Sequence, residues 1–211
     1  SWTTVDGLSN TPAERPSHCT LKSPDSCIGS LRELYDTGAL KVANLDGSYL
    51  SGSAWFMGSD SGTRSNLAIG KLQGTDRFDI VVGGSSDGSI KYLMNRGTTT
   101  NPHFVEGNLN VDKAGRTHAT PSIVDINGDT YLDLVIGWSG GTLYYYKNTG
   151  ETNKDDVPLC VPDLELQSSS NNPFNGITVT KDSNPAFVDI DDDNDYDLIL
   201  GSASGDLTYY E

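Results

Sequence analysis

No stretch of this sequence approaches the roughly 18 to 20 consecutive apolar residues that a membrane-spanning helix needs, so a helical span is excluded. Cations are scarce as well: 14 Lys and Arg stand against 29 Asp and Glu, for a formal net charge of -15. Such a surface repels phosphate, which excludes nucleic acid and anionic membranes as partners and favours cations. The 3 cysteines form no CxxC pair, and a single histidine, His18, adjoins one of them, which does not make a zinc-ligand spacing, so a zinc site is not expected. Helical periodicity is nearly absent, and no Asn-x-Ser/Thr glycosylation signal occurs. Ser1 opens neither a signal-peptide pattern nor an initiator methionine, which is expected of processed or excised material.

Short apolar segments between turn residues are what the chain does have. With 35% hydrophobic residues it fits a soluble globular protein. Cys19 and Cys27 lie close together in a Pro/Ser-rich stretch and are expected to form a local disulfide. Cys160 is then left over as a buried hydrophobe, a free thiol or a link to another chain.

Internal repetition is the strongest organising signal. PSIVDINGDTYLDLVIGWSGGTLYYYKNTG, from Pro121, recurs as PAFVDIDDDNDYDLILGSASGDLTYYE, from Pro185. A weaker copy starts at Leu67 and aligns without gaps from Gly74 through Gly83. The glycines closing the apolar runs, Gly83, Gly137 and Gly201, are 54 and 64 residues apart. That is about the size of a four-stranded propeller blade with loop insertions. A fourth, most divergent unit is traced from Asp36. Within each unit PSIVDI, LDLVIGW and TLYYYKN read as strands, rich in β-branched and aromatic residues. A fourth strand is expected near His103 to Leu109 and Leu159 to Leu166. The last copy stops at Glu211, before such a strand.

Two loops between the first and second strands carry chemistry. DINGDTYLD sets Asp125, Asn127, Asp129 and Asp133 at positions 1, 3, 5 and 9, and DIDDDNDYD sets Asp189, Asp191, Asp193 and Asp197 there. Backbone carbonyls of Tyr131 and Asp195, at position 7, would complete each shell. Hard oxygen donors at alternating positions of a tight turn suit calcium, which takes about six to eight oxygens in irregular geometry. Six aspartates crowd the second loop and would repel one another without a cation. An EF-hand is rejected, because its required glycine and glutamate are replaced by Thr130 and Ile136, or Asn194 and Leu200. In the weaker copy the four slots hold Lys71, Gln73, Thr75 and Asp79, so no calcium is expected there. Lys71 either replaces the ion as the cation facing Asp79 or points to solvent.

Asp-x-Asn-Gly-Asp-x-x-x-Asp followed by Leu-x-x-Gly resembles the FG-GAP or VCBS repeat of integrin-α-like β-propellers. The resemblance implies an all-β, propeller-like array of about four blade repeats, the last lacking its outer strand, with two structural calcium ions. It gives an N-terminal segment 1–35, a divergent blade 36–64, a degenerate blade 65–112, a calcium-loop blade 113–170 and an incomplete one 171–211. Such propellers usually have about seven blades. The implied role is extracellular recognition, adhesion or assembly, with self-association into oligomers or filaments by strand complementation, or binding of a protein or glycan. Calcium loops and a disulfide suit the extracellular space or cell surface. A lectin is one alternative, with Trp55 and Trp138 as stacking candidates against a reading of both as strand packing. The Tyr144 to Tyr146 run and the Tyr209, Tyr210 pair read as alternating strand faces. A polysaccharide-active enzyme is the other alternative, but His18, His103 and His118 occupy unrelated contexts and no catalytic constellation is legible.

Overall fold

The computed structural model describes residues 65–84, 86–100, 102–152 and 160–211. The expected segments 1–35 and 36–64, with Trp55 and His18, lie outside them. The described chain is all-β. Strands β1 (Ser65–Gly70), β2 (Asp79–Gly84), β3 (Ile90–Asn95) and β4 (Phe104–Gly107) form a first sheet. A second holds β5 (Thr120–Val124), β6 (Asp133–Gly137), β7 (Leu143–Thr152) and β8 (Pro162–Gln167), and a third β9 (Asn184–Val188), β10 (Asp197–Gly201) and β11 (Leu207–Tyr210). All pairings are antiparallel between chain neighbours, so each sheet is a meander. Among the described residues the third sheet has three strands, and the sheets stand in a row that they do not close into a ring.

Neighbouring sheets pack through their first strands, with β5 beside β1 and β9 beside β5. Strand alternation feeds two cores. Tyr146 joins Tyr92, Met94, Ile136 and Trp138 between the first and second sheets, while Tyr145 joins Val135, Phe174, Leu198 and Leu200 between the second and third. The tyrosine run therefore divides between two faces. At about 1.5–3 kcal/mol for each large apolar side chain removed from water, these two seams are the main source of cohesion along the row.

Where β2 and β6 end, the backbones of adjacent sheets come into contact. Ala119 N–H donates to the Gly84 carbonyl (3.1 Å), and Ser183 N–H donates in the same way to Trp138 (3.2 Å). This approach is possible because Gly83 and Gly137 have no side chain: an added Cβ would overlap the carbonyl oxygens of Ala119 and Ser183 respectively. Fully buried Ser183 locks the second seam, accepting from Trp138 N–H (2.9 Å) and donating to the Thr142 carbonyl (2.9 Å).

Two expectations change. Strand β7 runs on to Thr152, through an irregularity after Asn148 where Gly150 takes φ 75. Fully buried Cys160 is disulfide-bonded, so it is not a left-over thiol. Cys19 and Cys27, and the pairing expected between them, lie outside the described residues.

Candidate metal centre

Each aspartate loop joins the first strand of a sheet to its second and folds back on its own first carboxylate. In the loop between β5 and β6, Asp125 Oδ1 accepts from Gly128 N–H (2.8 Å) and Asp129 N–H (3.2 Å), and Oδ2 accepts from Thr130 N–H (2.8 Å). In the loop between β9 and β10, Asp189 accepts from Asp192, Asp193 and Asn194 N–H at 2.7, 3.2 and 3.1 Å. Positions 4 and 6 are left-handed in both: Gly128 and Asp192 at φ 71 and 65, Thr130 and Asn194 at φ 74 and 76. Glycine, Asp and Asn adopt that conformation at little cost; the β-branched threonine does not.

The ninth residue anchors the loop from below. Asp133 is fully buried and accepts from Ile126 N–H (3.2 Å), Asn148 N–H (2.8 Å) and the Tyr145 hydroxyl (2.8 Å). Burial is the main cause that raises its pKa above the ordinary carboxylate range, with the Asn148 hydrogen bond opposing it. Asp197, also buried, accepts from Ile190 N–H (2.8 Å) and the Tyr209 hydroxyl (2.7 Å). That hydrogen bond to Asp197 is the first cause of a Tyr209 pKa of about 12.

The second loop gathers the predicted donors most closely. Carboxylate oxygens of Asp189, Asp191 and Asp197 all lie within 4.8 Å of one another. Asp193 is turned into the loop, where its Oδ1 accepts from Asp195 N–H (3.0 Å), and its charge is the leading cause of a raised Asp195 pKa. These donors fit a divalent cation: all are hard oxygens, and among the described residues no ammonium or guanidinium pairs with them. A bound calcium would supply the positive charge that the cluster lacks. Asp189, Asp191 and Asp197 would hold it, with Asp193 and the Asp195 carbonyl as further donors.

The first loop holds its predicted donors differently. Asn127 Nδ2 donates to Asp133 Oδ2 (3.2 Å) and to the Tyr145 hydroxyl (3.1 Å), while Asn127 Oδ1 accepts from Asp129 N–H (2.9 Å). Asp129 Oδ1 accepts from Tyr131 N–H (3.0 Å), and its other oxygen pairs with Lys147 at 3.4 Å.

The degenerate loop between β1 and β2 holds its buried aspartate with an amide. Lys71 does not face Asp79; it pairs with Asp76 at 3.8 Å and lies over the Phe78 ring. Gln73 occupies the centre instead, its side-chain amide donating to Asp79 Oδ1 (2.7 Å) and its backbone N–H to Oδ2 (3.2 Å). Sequence reasoning missed Gln73 in this role, and it missed the hydroxyls of Tyr145 and Tyr209 and the amide of Asn148. The tyrosines were legible as a shared spacing, each twelve residues beyond its buried aspartate.

Trp138 is fully buried, edge-on to Tyr144 at 6.5 Å between centroids, and offers no face to a sugar. His118 lies 3.7 Å from Asp182 at the second seam, remote in sequence from His103 before β4. Compared with known proteins, the chain matches no family model, no curated protein and no solved structure.

Proposed function

We propose that this chain is a calcium-stabilised binding or assembly module of the extracellular space, built from FG-GAP/VCBS-type repeats, in which the ion has a structural role. The observation that carries this reading is the convergence of Asp189, Asp191 and Asp197 at the base of a loop tied to the buried start of β10. Unfilled, the cluster is a set of like charges in close proximity; filled, it clamps the β9 to β10 connection, so binding energy becomes folding energy. The disulfide at Cys160 supports an oxidising compartment, where calcium is also plentiful. Two bound ions would bring the formal charge from -15 to about -11.

Thermal unfolding with excess calcium and after chelation tests this. Calcium is expected to raise the transition markedly, with Asp197→Ala removing most of the gain and Asp133→Ala a smaller part. An unchanged melting curve on chelation would show both loops to be acidic turns, and the proposal would fall.

A further inference from the structure

We infer that Asn175 is a site of spontaneous deamidation in the folded protein, and that the fold protects Asn127, the chain's other asparagine followed by glycine, from the same reaction. This goes beyond the calcium reading and does not rest on it. Asn-Gly occurs twice in the sequence, at Asn127-Gly128 in the first aspartate loop and at Asn175-Gly176 in the connection from β8 to β9. An asparagine amide is open to attack by the backbone nitrogen of the residue that follows, and glycine hinders that nitrogen least because it has no Cβ. All four residues are exposed, so access to water does not separate the two pairs. Their hydrogen bonds do.

At the second pair the turn is pinned on both sides and loose in the middle. Before it, Asn172 accepts from Phe174 N–H on Oδ1 (3.0 Å) and from Asn175 N–H on its carbonyl (3.0 Å). After it, Ile177 N–H donates to the Phe174 carbonyl (3.0 Å), and Thr178 pairs with Thr142. Phe174 itself is buried, its ring centroid 6.2 Å from that of Tyr145 and 5.5 Å from that of Phe187. Among the described residues nothing donates to the Asn175 carbonyl, and nothing accepts from Gly176 N–H or from the Asn175 side-chain amide. Gly176 is left-handed (φ 91), and an added Cβ there would meet nothing within 4 Å. The peptide between Asn175 and Gly176 can therefore rotate without breaking a hydrogen bond and bring its nitrogen to Asn175 Cγ.

The first pair has no such freedom. Gly128 N–H, on the nitrogen that would attack, is committed to Asp125 Oδ1 (2.8 Å). The Asn127 amide is held at both ends: Nδ2 donates to Asp133 Oδ2 (3.2 Å) and to the Tyr145 hydroxyl (3.1 Å), and Oδ1 accepts from Asp129 N–H (2.9 Å). Turning Asn127 Cγ toward Gly128 would break bonds to two carboxylates, of which Asp133 is fully buried. At Asn175 the reaction needs only water. The Gly176 nitrogen loses its proton and bonds to Asn175 Cγ, the Cγ–Nδ2 bond breaks, and Nδ2 takes up a proton and leaves as ammonia. Water then opens the cyclic imide at one carbonyl or the other, giving aspartate or isoaspartate. Nothing is oxidised or reduced. Either product adds one negative charge, and isoaspartate also lengthens the backbone by a methylene between Phe174 and Thr178.

Incubation of the full chain in mildly alkaline buffer with excess calcium tests this, followed by charge-resolved separation and peptide mapping, with the same chain in denaturant as reference. In the folded protein an acidic form is expected to accumulate that maps to Asn175 as a mixture of aspartate and isoaspartate. Asn127 is expected to react more slowly by about tenfold or more, the least slowing that hydrogen bonds to two carboxylates impose. In denaturant the two asparagines are expected to convert at similar rates, since each presents the same Asn-Gly step. Asn175→Gln, which holds the amide one methylene further from the attacking nitrogen, is expected to remove that acidic form and leave the melting temperature nearly unchanged. Equal rates at the two sites in the folded chain, an Asn175 that reacts in denaturant but not when folded, or a product without isoaspartate would each overturn the inference. Melting that ignores calcium would remove the calcium reading alone, because the hydrogen bonds that hold Asn127 are made within the chain.

Discussion

The ammonium of Lys147 lies 3.4 Å from Asp129 Oδ2, so the first aspartate loop carries a cation of its own at a carboxylate expected to bind calcium. By the sequence repeat the same position beyond the second loop is Glu211. The loops share their spacing but not their electrostatics, and calcium should fill the Asp189 loop first. Replacing Lys147 with Ala is expected to strengthen the weaker site by up to about fivefold, the ~0.2–1 kcal/mol typical of an exposed ion pair. Calorimetric titration of wild type and variant checks it; two equal sites in wild type would contradict the assignment.

Thr130 is the one β-branched residue among the left-handed positions of the two loops, at φ 74, where the second loop has Asn194 at φ 76. Asparagine tolerates this region far better than threonine, whose γ-substituents crowd the backbone there. Thr130→Asn should therefore stabilise the protein by about 1 kcal/mol in calcium and in chelator alike. A urea titration reads this out, and a loss of stability would mean that the threonine side chain makes a contact worth more than the strain.

Gly137 and Gly201 end equivalent strands, yet among the described residues an added Cβ would overlap the Ser183 carbonyl at Gly137 and would meet nothing nearer than 3.6 Å at Gly201. Gly137→Ala must push the Ser183 backbone away and break the hydrogen bonds around it, at a cost of about 1–3 kcal/mol or more. Gly201→Ala should leave the unfolding midpoint of the monomer nearly unchanged. Equal destabilisation by the two would show that glycine serves the strand itself and not the seam.

How far the sequence was legible follows from which interactions are local. Period-two patterning and turn residues revealed the strands of all three sheets, including β4 and β8, because strand faces and turns are set within a few residues. The nine-residue spacing revealed the loops, and in the second of them positions 1, 3 and 9 converge. Roles that depend on register across strands stayed hidden: Tyr145 reaches Asp133 from another strand, and Asn148 Nδ2 reaches the Leu72 carbonyl of another sheet (3.0 Å). Of the two readings of Lys71, the one that faces Asp79 fails, because Lys71 pairs with Asp76 and the amide of Gln73, two residues beyond Lys71, satisfies Asp79.

Cys160 is disulfide-bonded, and the chain's other cysteines are Cys19 and Cys27. A cysteine makes one such bond, so a bond from Cys160 within the chain and a local Cys19–Cys27 bond are alternatives that peptide mapping separates. Non-reducing peptide mapping should recover Cys160 joined to one of the two, with the other alkylated before reduction. Recovery of a Cys19–Cys27 peptide with Cys160 alkylated would contradict the long-range bond.

Asp79 supplies the pH dependence. It is fully buried, and burial raises its pKa against the opposing hydrogen bonds from Asn95 and Gln73. A carboxyl whose folded pKa exceeds its unfolded value of about 3.9 binds its proton more tightly in the native state. Its contribution to stability is therefore greatest below the unfolded value and is lost as pH rises through the folded one. Asp79→Asn has no such titration, but its amide keeps only the oxygen that accepts from Asn95 N–H (2.9 Å) and the Gln73 amide and puts an NH2 group where Oδ2 accepts from Gln73 N–H (3.2 Å), a loss of about 1 kcal/mol. Wild type should thus exceed Asp79→Asn in stability at pH 4, and the margin should shrink toward pH 7. Urea unfolding of both proteins in chelator over that range isolates the effect, because the pH dependence of the two calcium loops is common to both. A margin that grows with pH would instead mean that the ionised form is the one the Gln73 amide and Asn95 N–H hold in place, with hydrogen bonding outweighing desolvation.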